Sequence, residues 1–250
     1  MGQTMGQMLR EWDMIRNNLR SLWYEAQEPC LLCGAEEGPI CKNCQEMYFT
    51  LEMGRCQQCG KLVEPDVERC ADCEEGKGPQ EITRAAAWGH YTGLWKDFIW
   101  NMKFKSRPLL LRGLAHPVGE AALRYLPASD GLVSVPLHPE RLAERGFNQA
   151  EVVASLLHWE LGLPLVQGLE RVRPTHRQVG LRRGERLENL KGAFIFQGAS
   201  IQGRELWLID DVITTGATLE ACAKALLEAG ARRVYAFALA GGREGQKARE

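Results

Sequence analysis

Residues 203–230 read GRELWLIDDVITTGATLEACAKALLEAG and contain, in order, a strand, a turn and a helix. The run ELWLI at 205–209 is short and apolar, as is typical of a buried strand. Asp210 and Asp211 follow it, and the turn ITTGA then leads into a helix over 217–229 that Gly230 ends. A strand that passes through a short turn into a helix is the repeating unit of α/β folds.

The same alternation extends through most of the chain. Apolar runs bounded by turn residues predict strands, and apolar residues at helical spacing predict helices. Alternating elements of this kind predict an α/β fold with a mostly parallel sheet and helices on both faces. The predicted strands are 82–91, 131–136, 165–172, 193–196 and 233–239, and the helices are 94–105, 109–126 and 148–161.

The turn after the strand at 205–209 has the composition of a phosphate-binding loop. Ligands of open α/β sheets bind at the carboxyl ends of the strands, where Asp210 and Asp211 are expected. The first amides of the next helix lack partners within the helix, and together with the helix dipole they suit a phosphate dianion. Gly216 allows the backbone to approach the ligand closely. Hydroxyl donors come from Thr214, Thr215 and Thr218.

Two carboxylates directly before a phosphate loop would repel an anion unless they bind another group. Carboxylates accept hydrogen bonds from sugar hydroxyls and also attract divalent cations. A ribose that carries a 5′-phosphate therefore satisfies both halves of the site. The alternative is an ordinary strand-to-helix loop with acidic residues on the surface, which this combination of residues disfavours.

Eight of the nine cysteines form four C-x-x-C pairs. Each pair places two thiolates on one turn, so two pairs complete the tetrahedral shell of a structural Zn²⁺. Four pairs predict two structural zinc ions, with iron–sulfur ligation and redox thiols as alternatives. Pairing in chain order is preferred because it needs only short loops, although a crossed arrangement has the same spacing. The predicted zinc ligands are Cys30, Cys33, Cys41, Cys44, Cys56, Cys59, Cys70 and Cys73.

Composition and charge narrow the classes of protein that fit. The formal net charge is −1, so overall charge favours neither nucleic acid nor an anionic membrane. No apolar run reaches the length of a membrane span, and the first residues lack the apolar core of a secretory signal. Paired thiols fit a reducing compartment, and we expect a cytoplasmic protein.

The chain divides into four predicted segments. Residues 1–28 contain an amphipathic helix that docks on its own protein, with a membrane or partner protein as the alternative. Residues 29–78 form a zinc-ribbon module that has too few apolar residues to build a core without metal. Residues 79–240 form the sheet domain, and 241–250 are a disordered tail.

Two further segments carry donors towards the same edge of the sheet. SVPLHPERLAERGFNQ at 134–149 begins where a predicted strand ends and contains Arg141, Arg145 and Asn148. Residues 171–191, RVRPTHRQVGLRRGERLENLK, form a long basic loop whose arginines suit a diphosphate. A solvated loop is the alternative for this second segment.

These motifs together resemble the ComF family of competence-related, phosphoribosyltransferase-like proteins. The resemblance runs from the cysteine pairs to the last strand. It rests on PCLLCG, YTGLWKDFIWNMKFK, VPLHPERLAERGFNQA, R-x-R-P-T-x-x-Q with ER-x-x-N-x-x-GAF downstream, and LIDDVITTGAT.

The resemblance implies a type I phosphoribosyltransferase-like domain that binds phosphoribosyl diphosphate (PRPP) with Mg²⁺, preceded by a double zinc ribbon. It also implies a role in DNA uptake and in handling single-stranded DNA during natural transformation, with single-stranded DNA and a competence helicase as partners. In that family the acidic pair contacts the ribose hydroxyls, and the turn after it holds the 5′-phosphate. Residues 134–137 match the family's diphosphate-binding turn. The predicted PRPP-binding residues are Ser134, Val135, Arg145, Asp210, Asp211, Ile213, Thr214, Thr215, Gly216, Ala217 and Thr218.

Two functions therefore fit the sequence. The first is a PRPP-binding protein of the ComF type. The alternative is an active phosphoribosyltransferase that moves ribose 5-phosphate from PRPP to a nucleobase or another small acceptor. The zinc module favours the first, since small-molecule transferases rarely need one, while the intact phosphate loop supports the second. The sequence identifies no catalytic base and no acceptor.

Overall fold

The structure is a computed structural model that describes residues 29–35, 38–49, 53–105, 111, 113–173 and 190–245. The predicted N-terminal helix at 1–28 and residues 174–189 of the basic loop lie outside these described residues, as does the end of the predicted tail. The chain divides into two compact units, residues 1–45 and 46–250. The first contains one group of four cysteines, and the second contains the other group together with the sheet. The boundary between ribbon and sheet at 78/79 stays a prediction.

Short elements frame the cysteine groups, and longer ones build the sheet and its helical layers. In chain order the described elements are α1 (Lys42–Tyr48), β1 (Gly54–Arg55), β2 (Leu62–Val63), α2 (Ala71–Glu74), β3 (Arg84–His90), α3 (Gly93–Lys105), α4 (Ala115–Tyr125), β4 (Gly131–Ser134), α5 (Pro139–Arg145), α6 (Gln149–Leu161), β5 (Leu169–Arg171), β6 (Phe194–Phe196), β7 (Glu205–Ile213), α7 (Ala217–Glu228) and β8 (Arg233–Gly241).

A four-stranded sheet with the order β3-β8-β7-β4 forms the centre of the larger unit. All three pairings within it are parallel, so the carboxyl ends of the four strands share one edge. β5 and β6 pair antiparallel in a separate two-stranded sheet. The α/β prediction with a mostly parallel sheet is therefore confirmed.

Side chains of a strand alternate between the two faces of a sheet, and side chains of β7 are buried on both faces. Leu206 and Leu208 of β7 belong to an apolar cluster that includes Cys222 of α7. Trp207 points to the opposite face, where it is fully buried and its indole N–H donates to the carbonyl of Pro127, just after α4 (2.8 Å). Large apolar side chains on both faces make β7 a central strand.

The structure differs from the predicted elements mainly in two places. β7 continues through Ile213 because its last residue still pairs with Gly241 of β8. α5 was not predicted, since none of its residues is buried and it therefore has no apolar periodicity. Its ends follow local rules instead: Pro139 occupies the first turn, and Gly146 ends the helix with a φ of 76°.

The second cysteine group is hydrogen-bonded to the outer edge of β3, which is an edge strand of the main sheet. The amide of Ala85 donates to the carbonyl of Gln57 (2.9 Å). The Arg55 guanidinium donates to the carbonyls of Ala87 (3.1 Å) and Trp88 (2.8 Å). An edge strand that would otherwise expose unpaired backbone groups is thereby covered by the ribbon.

Candidate functional site

β7 carries the two acidic residues past the end of its neighbour β4. Ser134, the last residue of β4, pairs with Ile209, whereas Asp210 pairs with Ala238 on the other side. The Oδ1 atom of Asp210 accepts a hydrogen bond from the backbone N–H of Asp211 (2.8 Å). Both carboxylates therefore lie at the carboxyl edge of the sheet, beside the end of β4, where open α/β sheets bind their ligands.

The chain then turns through residues 214–216 into α7. Gly216 adopts a left-handed conformation with a φ of 74°, and its carbonyl accepts from the amide of Glu220 (2.8 Å). The Thr215 hydroxyl accepts from the amide of Ala217 at 3.5 Å. Because glycine has no side chain to cap the helix, the amino end of α7 presents amides and threonine hydroxyls to the same edge.

A buried amide side chain joins the end of β4 to the start of α6. Nδ2 of Asn148 donates to the carbonyl of Val135 (2.9 Å), and Oδ1 accepts from the amide of Ala150 (3.1 Å). The Val135 amide in turn donates to the carbonyl of Ile209 on β7 (2.9 Å). Asn148 therefore fixes the corner between α5 and α6 against the predicted diphosphate-binding turn at Ser134 and Val135.

Arginines from two segments act electrostatically on one another near this edge. Burial lowers the pKa of Arg145, while the Asp211 carboxylate raises it and Arg141 lowers it further. Burial and Arg141 also lower the pKa of Arg171, which ends β5. Arg141 is thus within electrostatic range of both Arg145 and Arg171, and Arg145 is within range of Asp211. Cations beside two carboxylates suit a ligand that combines an anionic group with hydroxyls.

Cys222 lies beneath this edge and stands apart from the other cysteines. It is fully buried on α7, and burial raises the pKa of its thiol well above the ordinary value, with the Asp210 charge adding to that effect. A neutral buried thiol is a small apolar residue and not a nucleophile.

The other eight cysteines form two groups of four in chain order. Within each group the four sulfur atoms lie within 4.8 Å of one another. The sulfur atoms of Cys33 and Cys41 are 3.5 Å apart, and those of Cys59 and Cys70 are 3.6 Å apart. A tetrahedral Zn²⁺ with Zn–S bonds of about 2.3 Å requires sulfur separations of about 3.8 Å. Each group can therefore hold one metal ion with four thiolate ligands and no open position.

The second group is also prepared for metal by its local chemistry. The Cys59 thiol and nearby backbone amides donate hydrogen bonds to Cys56 and lower its pKa to about 4, in spite of burial. Gly60 follows the C-x-x-C turn with a φ of 74°, and its amide donates to the carbonyl of Cys56 (2.8 Å). A thiolate on a tight turn is the form in which cysteine binds zinc.

The second group also contacts the predicted phosphate loop, a connection that sequence reasoning missed. A Cβ on Gly60 would lie 3.1 Å from the Cδ1 atom of Ile213, the last residue of β7. Nε2 of Gln58 donates to the carbonyl of Pro79 (2.6 Å). Pro79 in turn lies beside Gly216, with Cγ 3.6 Å from the position of a Cβ there. No local pattern signals these contacts, because they join residues far apart in the chain.

Residues 80 and 81 are attached to the first turn of α7 in a similar way. The Glu220 carboxylate accepts from the amides of Gln80 (2.9 Å) and Glu81 (3.0 Å). The segment 73–79 thus leads into backbone that is hydrogen-bonded beside the loop at Gly216. The second cysteine group and the turn at Gly216 are therefore joined by one continuous set of contacts.

A parallel α/β sheet with an acidic pair and a TTGAT turn at its carboxyl edge, together with two groups of four cysteines that can each hold a metal ion, defines an α/β protein with cysteine ribbons. Comparison with known proteins identifies the family within this class. The chain is 31% identical over 219 residues to the DNA utilization protein YhgH of Salmonella typhi, covering 80% of this chain and 96% of that protein. It is 30% identical over 230 residues to the competence protein ComFC of Streptococcus pneumoniae, covering 84% and 98%.

The competence protein F of Haemophilus influenzae is 29% identical over 209 residues, which cover 80% of this chain and 90% of that protein. The chain belongs to the ComF family. No family model matches it. Among solved structures, TT1426 from Thermus thermophilus is similar over 55% of this chain and 85% of its own, at 18% identity and a TM-score of 0.32. Within the described residues, no helix has both the length and the apolar character needed to cross a bilayer.

Proposed function

We propose that this protein binds PRPP with Mg²⁺ at the carboxyl edge of its sheet and acts in DNA uptake and the handling of single-stranded DNA. The observation that carries the PRPP site is the position of Asp210 and Asp211, past the end of β4 and directly before the Gly216 turn. The names of the relatives, competence protein F, competence protein ComFC and DNA utilization protein, support the role in DNA uptake.

Each part of PRPP has a chemical counterpart at this edge. The carboxylates of Asp210 and Asp211 accept hydrogen bonds from the ribose hydroxyls, and the loop from Ile213 to Thr218 holds the 5′-phosphate. Ser134, Val135 and Arg145 bind the diphosphate from the β4 side. Mg²⁺, when bound, neutralises part of the diphosphate charge.

The two cysteine groups each hold one structural Zn²⁺ in this proposal. Four thiolates leave a zinc ion no position for a substrate, so the ribbons serve folding and recognition and not chemistry. The basic loop at 171–191 and the ribbons are the candidate contacts for single-stranded DNA or a helicase partner.

An active phosphoribosyltransferase remains the second candidate. The observation that favours it is the set of arginines at the site (Arg141, Arg145 and Arg171), two of which have their pKa lowered by burial. Half-buried guanidinium groups at this edge would stabilise the negative charge that develops on a departing diphosphate.

Isothermal titration of the full-length protein with PRPP, with and without Mg²⁺, tests the proposal. We expect PRPP to bind, and to bind more tightly with Mg²⁺. An absence of binding under both conditions would contradict the PRPP site. Diphosphate release in the presence of a panel of nucleobases would establish the enzyme. Failure with every base, together with salt-sensitive binding of single-stranded DNA, would favour the binding protein.

Gly216→Ala is expected to weaken ribose 5-phosphate binding beyond its effect on stability. Gly216 and Gly203 have φ values of 74° and 75°, and an added Cβ meets only ordinary contacts or open space at both positions. Each alanine should therefore cost about 1 kcal/mol of stability through the backbone alone. Urea unfolding and titration calorimetry of both variants separate the effects. Equal ribose 5-phosphate affinities for Gly216→Ala and the control Gly203→Ala would contradict a phosphate loop at this turn.

A further inference from the structure

The first residue of α6 buries a polar side chain that is only half paired. Gln149 is 3% exposed. Its Oε1 atom accepts from Nη1 of Arg145 (3.3 Å), whereas its Nε2 atom has no hydrogen-bond partner within the part of the chain that the structure describes. Buried amide donors are nearly always paired in folded proteins, because removing one from water without a new acceptor is costly. We therefore expect the Nε2 donor of Gln149 to bind an acceptor that is not part of the described chain.

The surroundings of Gln149 place it at the candidate site. The preceding residue, Asn148, is hydrogen-bonded to the carbonyl of Val135, directly after β4. The Arg145 guanidinium, which holds the Gln149 carboxamide through Oε1, has its pKa raised by the carboxylate of Asp211 against the larger effect of burial. Gln149 thus follows a residue that is hydrogen-bonded to the end of β4, and is itself hydrogen-bonded to a guanidinium within range of the acidic end of β7. It stands at the amino end of a helix of 13 residues.

The chemistry of this corner selects the ligand group. An amide N–H, a neighbouring guanidinium and the positive end of a helix dipole all favour an anionic oxygen. The 5′-phosphate is assigned to the loop between β7 and α7. The diphosphate is the remaining anionic group of PRPP, and the turn at Ser134 and Val135 next to Gln149 is the predicted diphosphate turn.

We propose that Gln149 is a further ligand-binding residue, whose Nε2 donates a hydrogen bond to an oxygen of the diphosphate group. Arg145 orients the carboxamide through Oε1 and contributes positive charge to the same group. This inference rests on the proposed PRPP site and assigns a specific donor to its diphosphate end.

Gln149→Met tests the assignment, because methionine has a similar length and no donor. Titration calorimetry is carried out on the full-length protein with PRPP, inorganic diphosphate and ribose 5-phosphate. We expect the affinities for PRPP and diphosphate to fall about tenfold, as for the loss of a hydrogen bond to a charged group. The affinity for ribose 5-phosphate should not change. Gln197→Met, at an exposed glutamine between β6 and β7, is the matched control and should change none of the three.

The outcomes separate this inference from the proposed function. If Gln149→Met leaves the PRPP affinity unchanged while the wild-type protein binds PRPP, the role of Gln149 is overturned and the PRPP site stands. An equal loss for all three ligands would also overturn it, since that pattern marks a general structural defect. Binding of neither PRPP nor diphosphate by the wild-type protein would overturn both.

A measurement on the unaltered side chain covers the case in which the variant does not fold. In the wild-type protein, the Gln149 side-chain NH₂ resonances should shift on addition of diphosphate and remain in place on addition of ribose 5-phosphate. Uniform ¹⁵N labelling makes them observable, and selective labelling of glutamine side chains reduces the overlap. No diphosphate-dependent shift in any buried glutamine amide would contradict the assignment.

Discussion

Replacing Cys59 with serine is expected to destabilise the parallel sheet and not only the ribbon that contains the residue. Cys59 is buried in the second cysteine group, where it is a proposed zinc ligand. Loss of a metal ligand is among the substitutions that cost about 4 kcal/mol or more. The residues on either side of it are attached to the sheet. Loss of the proposed zinc ion from this group should therefore destabilise the parallel sheet as well.

The destabilisation is expected to reach the sheet through hydrogen bonds between the second cysteine group and the sheet. The turn that holds Cys56 and Cys59 includes Gln57, whose carbonyl accepts from the amide of Ala85 (2.9 Å). On the next ribbon strand, the amide of Leu62 donates to the carbonyl of Gly242, just after β8 (3.0 Å). When the turn loses its metal, these hydrogen bonds lose their fixed partners and the edge of the sheet opens to water.

Cys33→Ser in the first group provides the matched control. It removes one ligand from an equivalent group of four thiols, but from the compact unit that does not contain the sheet. Differential scanning calorimetry and hydrogen exchange followed by mass spectrometry should show earlier unfolding and faster exchange across 84–90 for Cys59→Ser alone. Equal protection of β3 in both variants would contradict the structural role of the second ribbon. That result would instead favour ribbons that fold independently of the sheet.

The elements that the sequence predicts correctly are those determined by local physical chemistry. β7 and α7 follow from an uninterrupted apolar run and from apolar helical spacing, and the turn between them requires the left-handed backbone of Gly216. The grouping of the cysteines also follows from local spacing, because each C-x-x-C turn brings its own two sulfur atoms together. The position of Asp210 and Asp211 at the carboxyl edge of the sheet follows from the direction of β7 alone.

The features that the sequence could not predict depend on contacts between distant residues. The last residues of β7 remain in the strand because β8 continues beside them as far as Gly241. The ribbon covers β3 through hydrogen bonds such as that between Arg55 and Trp88, which no spacing rule anticipates. Gln149 occupies a position within a predicted helix, and only the folded chain shows that its amide is buried and half paired.

Asp211→Asn is expected to weaken the binding of PRPP and of ribose 5-phosphate by at least about tenfold, because hydrogen bonds to charged groups are worth about 1.5–3 kcal/mol. Asp210→Asn should act in the same direction. Asparagine has nearly the same shape and can accept at Oδ1, as Asp210 does from the amide of Asp211 (2.8 Å). The expected loss therefore reports the charge of each carboxylate and not a change of backbone structure.

Asp130→Asn is the matched control at the opposite edge of the sheet. Asp130 precedes β4 at the amino end of the strands, and its carboxylate accepts from the amide of Glu205 (2.8 Å). Its replacement should leave the affinity for both ligands unchanged. If Asp210→Asn and Asp211→Asn also leave PRPP affinity unchanged, the acidic pair does not bind the ribose.

Inorganic diphosphate separates a contact to the ribose from a general electrostatic effect. The Asp211 carboxylate acts on Arg145, the guanidinium proposed to bind diphosphate. Removing that negative charge reduces repulsion of an anion at the site, so Asp211→Asn should bind diphosphate as tightly as the wild-type protein or more tightly when Mg²⁺ is absent. A loss of ribose 5-phosphate affinity without a loss of diphosphate affinity is expected only if Asp211 contacts the sugar. A parallel loss of both affinities would mean that Asp211 supports the site through Arg145 instead.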